Sequence, residues 1–413
     1  MSKLKWLRVE EFRNLVPGTR LEFNEGLNVL LGKNGTGKTN LLHLISMALR
    51  LNFSALATEA FHVEFSVQEP AWLLRFEYEQ RALPPDSELG SEPESPQLEL
   101  HLCIEARSAG GDSVLLRASP AGATVSINGA PPAELRPVQI HLGKLSAVSL
   151  WIAGVSKRHV QGRFPRCFEA EESYRFDEQL LAFEAMHGRG EPYLSSPPPS
   201  VIEVREWLEG EKKGTTALWS NFVPEDLGAG LVEEDGEPAA HNLSSWSTEA
   251  LGFKAVRWEP RLQHRTRANS EQRRTFREFD FGCHGEDGAY MLAERLSFGE
   301  KRLLAFSYYL DASPQFAVAD ELANGLHHDW IRIALDQIGD RQAFLTSQNS
   351  LLLDFLPISS AAEATALFIR CEHAEGRKWR WSNFKPEEGE EFYRELSVGI
   401  EHVSQILRTR GLW

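Results

Sequence analysis

The sequence predicts an α/β fold built around a phosphate-binding loop, and three observations carry that prediction. Residues Gly32-Lys33-Asn34-Gly35-Thr36-Gly37-Lys38-Thr39 match G-x-x-x-x-G-K-T at every position. Residues 60–140 hold a period of two, the pattern of an antiparallel lobe. Beyond residue 290, apolar runs of strand length alternate with helical periodicity.

In chain order, Leu4-Lys5-Trp6-Leu7-Arg8-Val9 and Thr19-Arg20-Leu21-Glu22-Phe23 alternate apolar with polar residues and predict two half-buried strands. Phe12-Arg13-Asn14-Leu15 and the turn Pro17-Gly18 lie between them. Leu27-Asn28-Val29-Leu30-Leu31 predicts a buried strand, and residues 40–49 an amphipathic helix. In the lobe, strands are expected at 61–67, 72–78, 98–106, 113–117 and 123–127, with a solvated loop over 84–96. Residues 176–186 and 201–210 show helical spacing and flank the stiff run Ser195-Ser196-Pro197-Pro198-Pro199. The acidic, Gly-rich stretch 224–238 reads as a mobile loop. No heptad pattern runs through this region, so no long coiled-coil arm is expected. Residues 387–410 read as one helix with Phe392, Leu396, Ile400, Val403 and Leu407 on one face. The chain divides into 1–155 with the loop and β lobe, a helical and irregular insert over 156–290, and 291–413.

Composition narrows the function classes. The 413 residues are 42% hydrophobic and 25% charged, ordinary for a soluble protein with a sizeable core. A net charge of −15 means that any nucleic-acid contact must use a local basic patch. The four cysteines, Cys103, Cys167, Cys283 and Cys371, are far apart and predict neither a zinc site nor a disulfide frame, so a reducing cytoplasm is expected. Met1-Ser2-Lys3-Leu4-Lys5 leads into a strand rather than a signal peptide, and no apolar run is long enough to span a bilayer.

In the phosphate loop, glycines let backbone N–H groups turn inward around the phosphates, and the following helix adds its positive N-terminal end. This predicts binding of a nucleoside triphosphate through Asn34, Gly35, Thr36, Gly37, Lys38, Thr39 and Asn40. Lys38 would reach the β- and γ-phosphates, and the Thr39 hydroxyl would ligate Mg²⁺.

Leu296-Ser297-Phe298-Gly299-Glu300-Lys301-Arg302 supplies a second anion site: Ser297 is a natural N-cap, and Gly299 keeps the first helical turn open. Phe316-Ala317-Val318-Ala319 is a buried-strand run ending in Asp320-Glu321. Together these motifs resemble the signature and Walker B elements of the ATP-binding cassette (ABC) superfamily. The resemblance implies ATP as ligand, with Ser297, Gly299 and Glu300 gripping the γ-phosphate held by a second subunit's loop. It implies that Asp320 holds Mg²⁺ through water and that Glu321 positions the attacking water. Ala323-Asn324-Gly325-Leu326-His327 fits the D-loop, and Gln348 stands where relatives carry the switch histidine. Glutamine can hydrogen-bond a γ-phosphate but takes up no proton near neutral pH, so slow hydrolysis is expected, with Gln348 and Lys38 counted beside Glu321 as catalytic.

Phe12-Arg13-Asn14 resembles the opening of RecF, SMC and OLD-type ATPases, whose arginine contacts the nucleotide; that role is carried over to Arg13. Residues after Gln348 hold no metal-binding acidic cluster, so no Toprim domain is expected. The resemblance implies a homodimer, or a higher even oligomer, with ATP at the interface. It implies an ATP-gated clamp or sensor in prokaryotic DNA maintenance or antiphage defence, beside a separately encoded nuclease or effector and without a membrane. Alternatives are a nucleotide-locked scaffold, favoured by Gln348, and a transporter ATPase subunit, disfavoured by the start of the chain and the long insert.

One segment, 254–277, is strongly basic: Lys254, Arg257, Arg261, Arg265, Arg267, Arg273, Arg274 and Arg277 face only Glu259 and Glu271 in sequence. Lys157, Arg158, Arg163 and Arg166 form a smaller group. A DNA or RNA backbone contact, a dock for an acidic partner and a solvated loop are all consistent with it.

Overall fold

The structure is a computed structural model describing residues 2–82, 98–135, 139–155, 165–169, 175–176, 202–209, 212–218, 241–242, 244–268, 271–292, 295–399 and 402–412. The expected helix at 176–186 beyond its first residue, the proline run and the acidic loop lie outside the described residues. The chain separates into two compact units. One is Met1–Ser173 with Gln315–Asp320 and Asp340–Trp413; the other is Tyr174–Pro314 with Glu321–Gly339.

The first unit holds two sheets. An eight-stranded antiparallel sheet contains β1 (Lys3–Phe12), β2 (Thr19–Glu22), β4 (Phe61–Gln68), β5 (Trp72–Ala82), β6 (Leu98–Ser108), β7 (Ser113–Ser119), β8 (Gly122–Ile127) and β9 (Ala133–Glu134), ordered β2-β1-β4-β5-β6-β7-β8-β9. Its inner face buries Phe65, Phe76, Tyr78, Leu102, Ile104, Leu116 and Val125, and on β5 the alternating Arg75, Glu77 and Glu79 are exposed or half-buried. Helix α2 (Lys144–Val155) lies on this face, and its Gly154 approaches Leu116 so closely that a Cβ would sit 2.3 Å from the leucine methyl.

The second sheet, ordered β16-β17-β3-β18-β19, positions the site. Its strands are β3 (Leu27–Leu31), β16 (Phe316–Ala319), β17 (Gln342–Leu345), β18 (Phe368–His373) and β19 (Trp379–Asn383). β16, β17, β3 and β18 run parallel and β19 antiparallel. All four β16 residues and all four β17 residues are buried, as strands covered on both faces must be. Helix α1 (Lys38–Arg50) buries Leu41, Leu42, Leu44, Ile45, Met47, Ala48 and Leu49.

The second unit carries an antiparallel sheet ordered β11-β10-β14-β13-β12, with β15 (Tyr290–Leu292) paired to β14. Residues 202–209, expected as a helix, are strand β10 (Ile202–Glu209), paired with β11 (Lys212–Leu218) and β14 (Glu271–His284). The spacing of Val204, Trp207 and Leu208 suits a helix, but Ile202 and Val204 also alternate, and two neighbouring strands decide between the patterns. The basic segment is likewise β13 (Ala255–Ala268) and β14 rather than a loop. β12 (His241–Asn242) completes this sheet. The unit's helices include α4 (Ser245–Ala250), α5 (Phe298–Ala312) and α6 (His328–Ile338); the short α3 (Arg166–Glu169) belongs to the first unit.

At the end of the chain come α7 (Ser350–Asp354), α8 (Ala361–Leu367), α9 (Pro386–Ser397) and α10 (Val403–Thr409), all in the first unit. The single helix expected over 387–410 is therefore two. Gly399 adopts φ +72°, a conformation that ends helices and that glycine alone enters without steric cost. Among the described residues no helix is long and apolar enough to cross a membrane.

Candidate functional site

Strand β3, in the middle of the parallel sheet, delivers the chain into the loop 32–37, and α1 starts at Lys38. The loop's shape is enforced from behind. The Trp379 indole N–H donates to the Gly35 carbonyl at 3.0 Å and that of Trp381 to the Thr36 carbonyl at 3.3 Å. The Thr36 hydroxyl donates to the Lys33 carbonyl at 2.7 Å. The Thr36 N–H also donates to the Lys33 carbonyl, at 3.4 Å, and carbonyls held on that side favour turning the other loop N–H groups toward an anion. Two glycines permit the close approach: a Cβ on Gly32 would lie 2.2 Å from the Cys371 carbonyl, and one on Gly37 would lie 2.8 Å from the Trp379 ring. Burial pushes the Cys371 thiol up to about 12, so it stays protonated and unreactive there.

The Lys38 ammonium donates to the carbonyls of Gly32 at 2.6 Å and Lys33 at 3.1 Å, which holds it over the loop. The Thr39 hydroxyl donates to Asp320 Oδ2 at 2.6 Å, and the Thr346 hydroxyl to Asp320 Oδ1. Asp320 reaches this position because β16 ends beside β17, which Thr346 directly follows, and the Thr346 N–H donates to the Ala319 carbonyl at 3.1 Å. A hydroxyl and a carboxylate at that separation form an all-oxygen donor pair that suits Mg²⁺, which takes oxygen ligands and keeps several waters. The residues fit the ion.

Arg13 lies at the other end of the loop region, with φ +47°. It forms two bonds of 2.8 Å to the Glu59 carboxylate and a third to Asn40 Oδ1, and its guanidinium lies 5.1 Å from the centre of the Phe12 ring. The pair shifts both members: the bond to Arg13 holds Glu59 below the usual carboxylate range, and the bond to Glu59 raises Arg13. Exposed Gln348 shares a cleft of about 310 Å³ with Gly32, Lys33, Asn34, Lys38, Ser347 and Arg408.

The second unit holds the remaining residues. Ser297 caps α5 through a full capping box: Glu300 N–H donates to the Ser297 hydroxyl at 3.3 Å, and Ser297 N–H to the Glu300 carboxylate at 2.6 Å. The helix start is locked to the expected D-loop. A Cβ on Gly299 would lie 2.4 Å from the Gly325 carbonyl, and the exposed Phe298 ring covers Gly325. Glu321 sits at φ +54°, and buried Arg302 donates to its carbonyl and to that of Leu322 at 3.2 Å. The Arg302 guanidinium lies 5.1 Å from the centre of the Phe176 ring, which is fully buried against Phe306.

Within the first unit the structure thus gathers Arg13, Asn34, Gly35, Thr36, Gly37, Lys38, Thr39, Asn40, Asp320 and Gln348. Ser297, Gly299, Glu300 and Glu321 belong to the second. Residues that sequence reasoning missed are Glu59, Trp379, Trp381 and Arg408. Trp379-Arg380-Trp381 carried a usable signal, two indoles on one face of a strand; Glu59 and Arg408 carried none.

Residues 7–69 match the AAA domain family. Over 93% of its length the chain is similar to the SMC head domain from Thermotoga maritima, at 11% identity and TM-score 0.38, covering 99% of that chain. It is similar to the Smc head domain from Pyrococcus furiosus bound to the C-terminal domain of ScpA, at 12% identity and TM-score 0.41, over 96% of this chain and 100% of that one. It is also similar to the recombination mediator RecF, at 13% identity and TM-score 0.34, over 93% and 98% of the two chains.

Proposed function

We propose that the chain binds ATP with Mg²⁺ and hydrolyses it slowly, as a dimeric ATP-gated clamp or sensor. The observation that carries this reading is the 2.6 Å bond from Thr39 to Asp320, which joins a phosphate loop to the end of a buried strand and sets two oxygen donors of the kind Mg²⁺ takes side by side. On binding, Lys38 exchanges the carbonyls of Gly32 and Lys33 for β- and γ-phosphate oxygens. Thr39 and Asp320 would hold the ion, which would neutralise charge on the phosphates. Glu321 orients a water for in-line attack on the γ-phosphorus; the bond to the ADP oxygen breaks, and the water's proton passes to the carboxylate. The signature residues Ser297, Gly299 and Glu300 present a capped helix start, which suits the γ-phosphate held by a second copy.

The test is nucleotide binding and turnover in three proteins. Wild type should bind ATP, Lys38→Ala should lose binding, and Glu321→Gln should bind ATP without hydrolysing it. Equal turnover in Glu321→Gln and wild type removes Glu321 from the chemistry; equal ATP binding in Lys38→Ala removes the site.

Gln348 in the cleft favours a second reading, a nucleotide-locked scaffold with little turnover. Gln348→His giving equal or faster hydrolysis fits the slow ATPase; a rapid wild-type enzyme destroyed by that change contradicts it. We further propose a cytoplasmic setting in prokaryotic DNA maintenance or antiphage defence, with a separately encoded nuclease or effector. DNA or RNA would contact the basic hairpin β13–β14, which concentrates positive charge in an acidic chain.

A further inference from the structure

We propose that Arg408 is a phosphate-reading arginine supplied within the same chain, and that it brings to the terminal phosphate the charge that Gln348 lacks. This rests on the nucleotide-binding reading and deepens it. Helix α10 is held in place on two sides. Val403, Ile406 and Leu407 are buried. Ser404 donates both its N–H, at 2.9 Å, and its hydroxyl, at 3.1 Å, to the carboxylate of Asp354 at the end of α7. Arg410 binds both carboxylate oxygens of Glu395 in α9, at 2.8 and 3.2 Å.

The anchor matters because α7 begins directly after the switch position: Asn349, next to Gln348, caps it by accepting from Leu351 N–H at 3.0 Å. Fixing Ser404 to α7 therefore sets Arg408, one helical turn on, relative to the phosphate loop. Exposed Arg408 lines the same cleft as Gly32, Lys33, Asn34, Lys38 and Gln348. Gln348 can offer a neutral hydrogen bond only. A guanidinium is always charged and presents a planar fork that matches two phosphate oxygens. A triphosphate carries one more charged group than a diphosphate, so an arginine at its end favours ATP over ADP.

The experiment measures equilibrium affinities for ATP and ADP, by titration calorimetry, in the Glu321→Gln background and in that background with Arg408→Ala or Arg408→Lys. We expect Arg408→Ala to lose about tenfold or more in ATP affinity and less than about twofold in ADP affinity, with Arg408→Lys recovering part of the loss. Equal losses for both nucleotides, no loss, or tighter ATP binding in Arg408→Ala overturns the proposal; tighter binding would make α10 an obstruction instead. A parent protein that binds neither nucleotide, like Lys38→Ala, overturns the nucleotide reading itself and the proposal with it.

Discussion

Arg302 donates to the carbonyl of Glu321, a residue held in the left-handed region at φ +54°. That conformation costs a non-glycine residue about 1–2 kcal/mol, so the surroundings must hold it. The arginine comes from the helix that Ser297 caps, and the glutamate follows the strand that ends in Asp320. One buried side chain thus ties the helix that Ser297 caps to the backbone of the expected catalytic carboxylate.

The first prediction follows. Arg302→Met should lower kcat at least tenfold while ATP affinity stays within about twofold, and Arg302→Lys, which keeps one bond and the charge, should recover part of kcat. Steady-state kinetics beside calorimetric binding checks it. A fall in melting temperature with kcat unchanged would leave Arg302 a core residue only.

Gly37 makes a second prediction. It adopts φ +86° with the Trp379 ring 2.8 Å from the place of a Cβ. Gly37→Ala should cost about 1–3 kcal/mol in backbone strain and displace the ring, weakening nucleotide binding sharply. Chemical denaturation and ATP titration of the variant check it; unchanged affinity would mean that the indole does not shape the loop.

The Arg13–Glu59 pair predicts a pH dependence. Glu59 is held below its ordinary value of 4.5 in the folded chain. Its contribution to stability is therefore present above that ordinary value and is lost as the pH falls through the depressed folded pKa. Both side chains are about one-third exposed, 31% and 34%, so solvent screening keeps the effect small. Urea unfolding of wild type and Glu59→Gln should differ at pH 7 and converge in strong acid. A difference that persists there assigns the effect to packing rather than charge.

Assembly is the last prediction. Closure of two copies should need ATP and Mg²⁺, persist in Glu321→Gln, and fail when Ser297→Arg is added, because bulk and charge then stand at the helix start. Moving a 1:99 equilibrium to 99:1 takes about 5.5 kcal/mol, within reach of several charge-assisted bonds at each of two sites. Light scattering with and without nucleotide checks it. A dimer under every condition would place the subunit contact elsewhere; a monomer with full ATPase activity would sink the shared site.

Elements whose logic is local were legible in the residues alone. The glycine loop, the serine cap three residues ahead of Glu300, the period-two strands and the buried run before Asp320 each depend on spacing within one short stretch. Helical spacing misled at 202–209, where β11 and β14 supply backbone partners that local periodicity does not contain. It misled again across Gly399, because the apolar phase continued on the far side of a break.

By itself, the sequence determined the chemistry-bearing motifs and the class of fold, since short-range spacing dictates caps, turns and which face of a strand is apolar. Only the tertiary structure decided which distant residues meet. It brought Thr39 to Asp320, set two indoles behind the phosphate loop, paired Arg13 with Glu59, and carried Arg408 to the cleft beside Gln348. The physical reason is that these contacts are made by strand order and helix docking, where burial of apolar faces selects neighbours that no local pattern encodes.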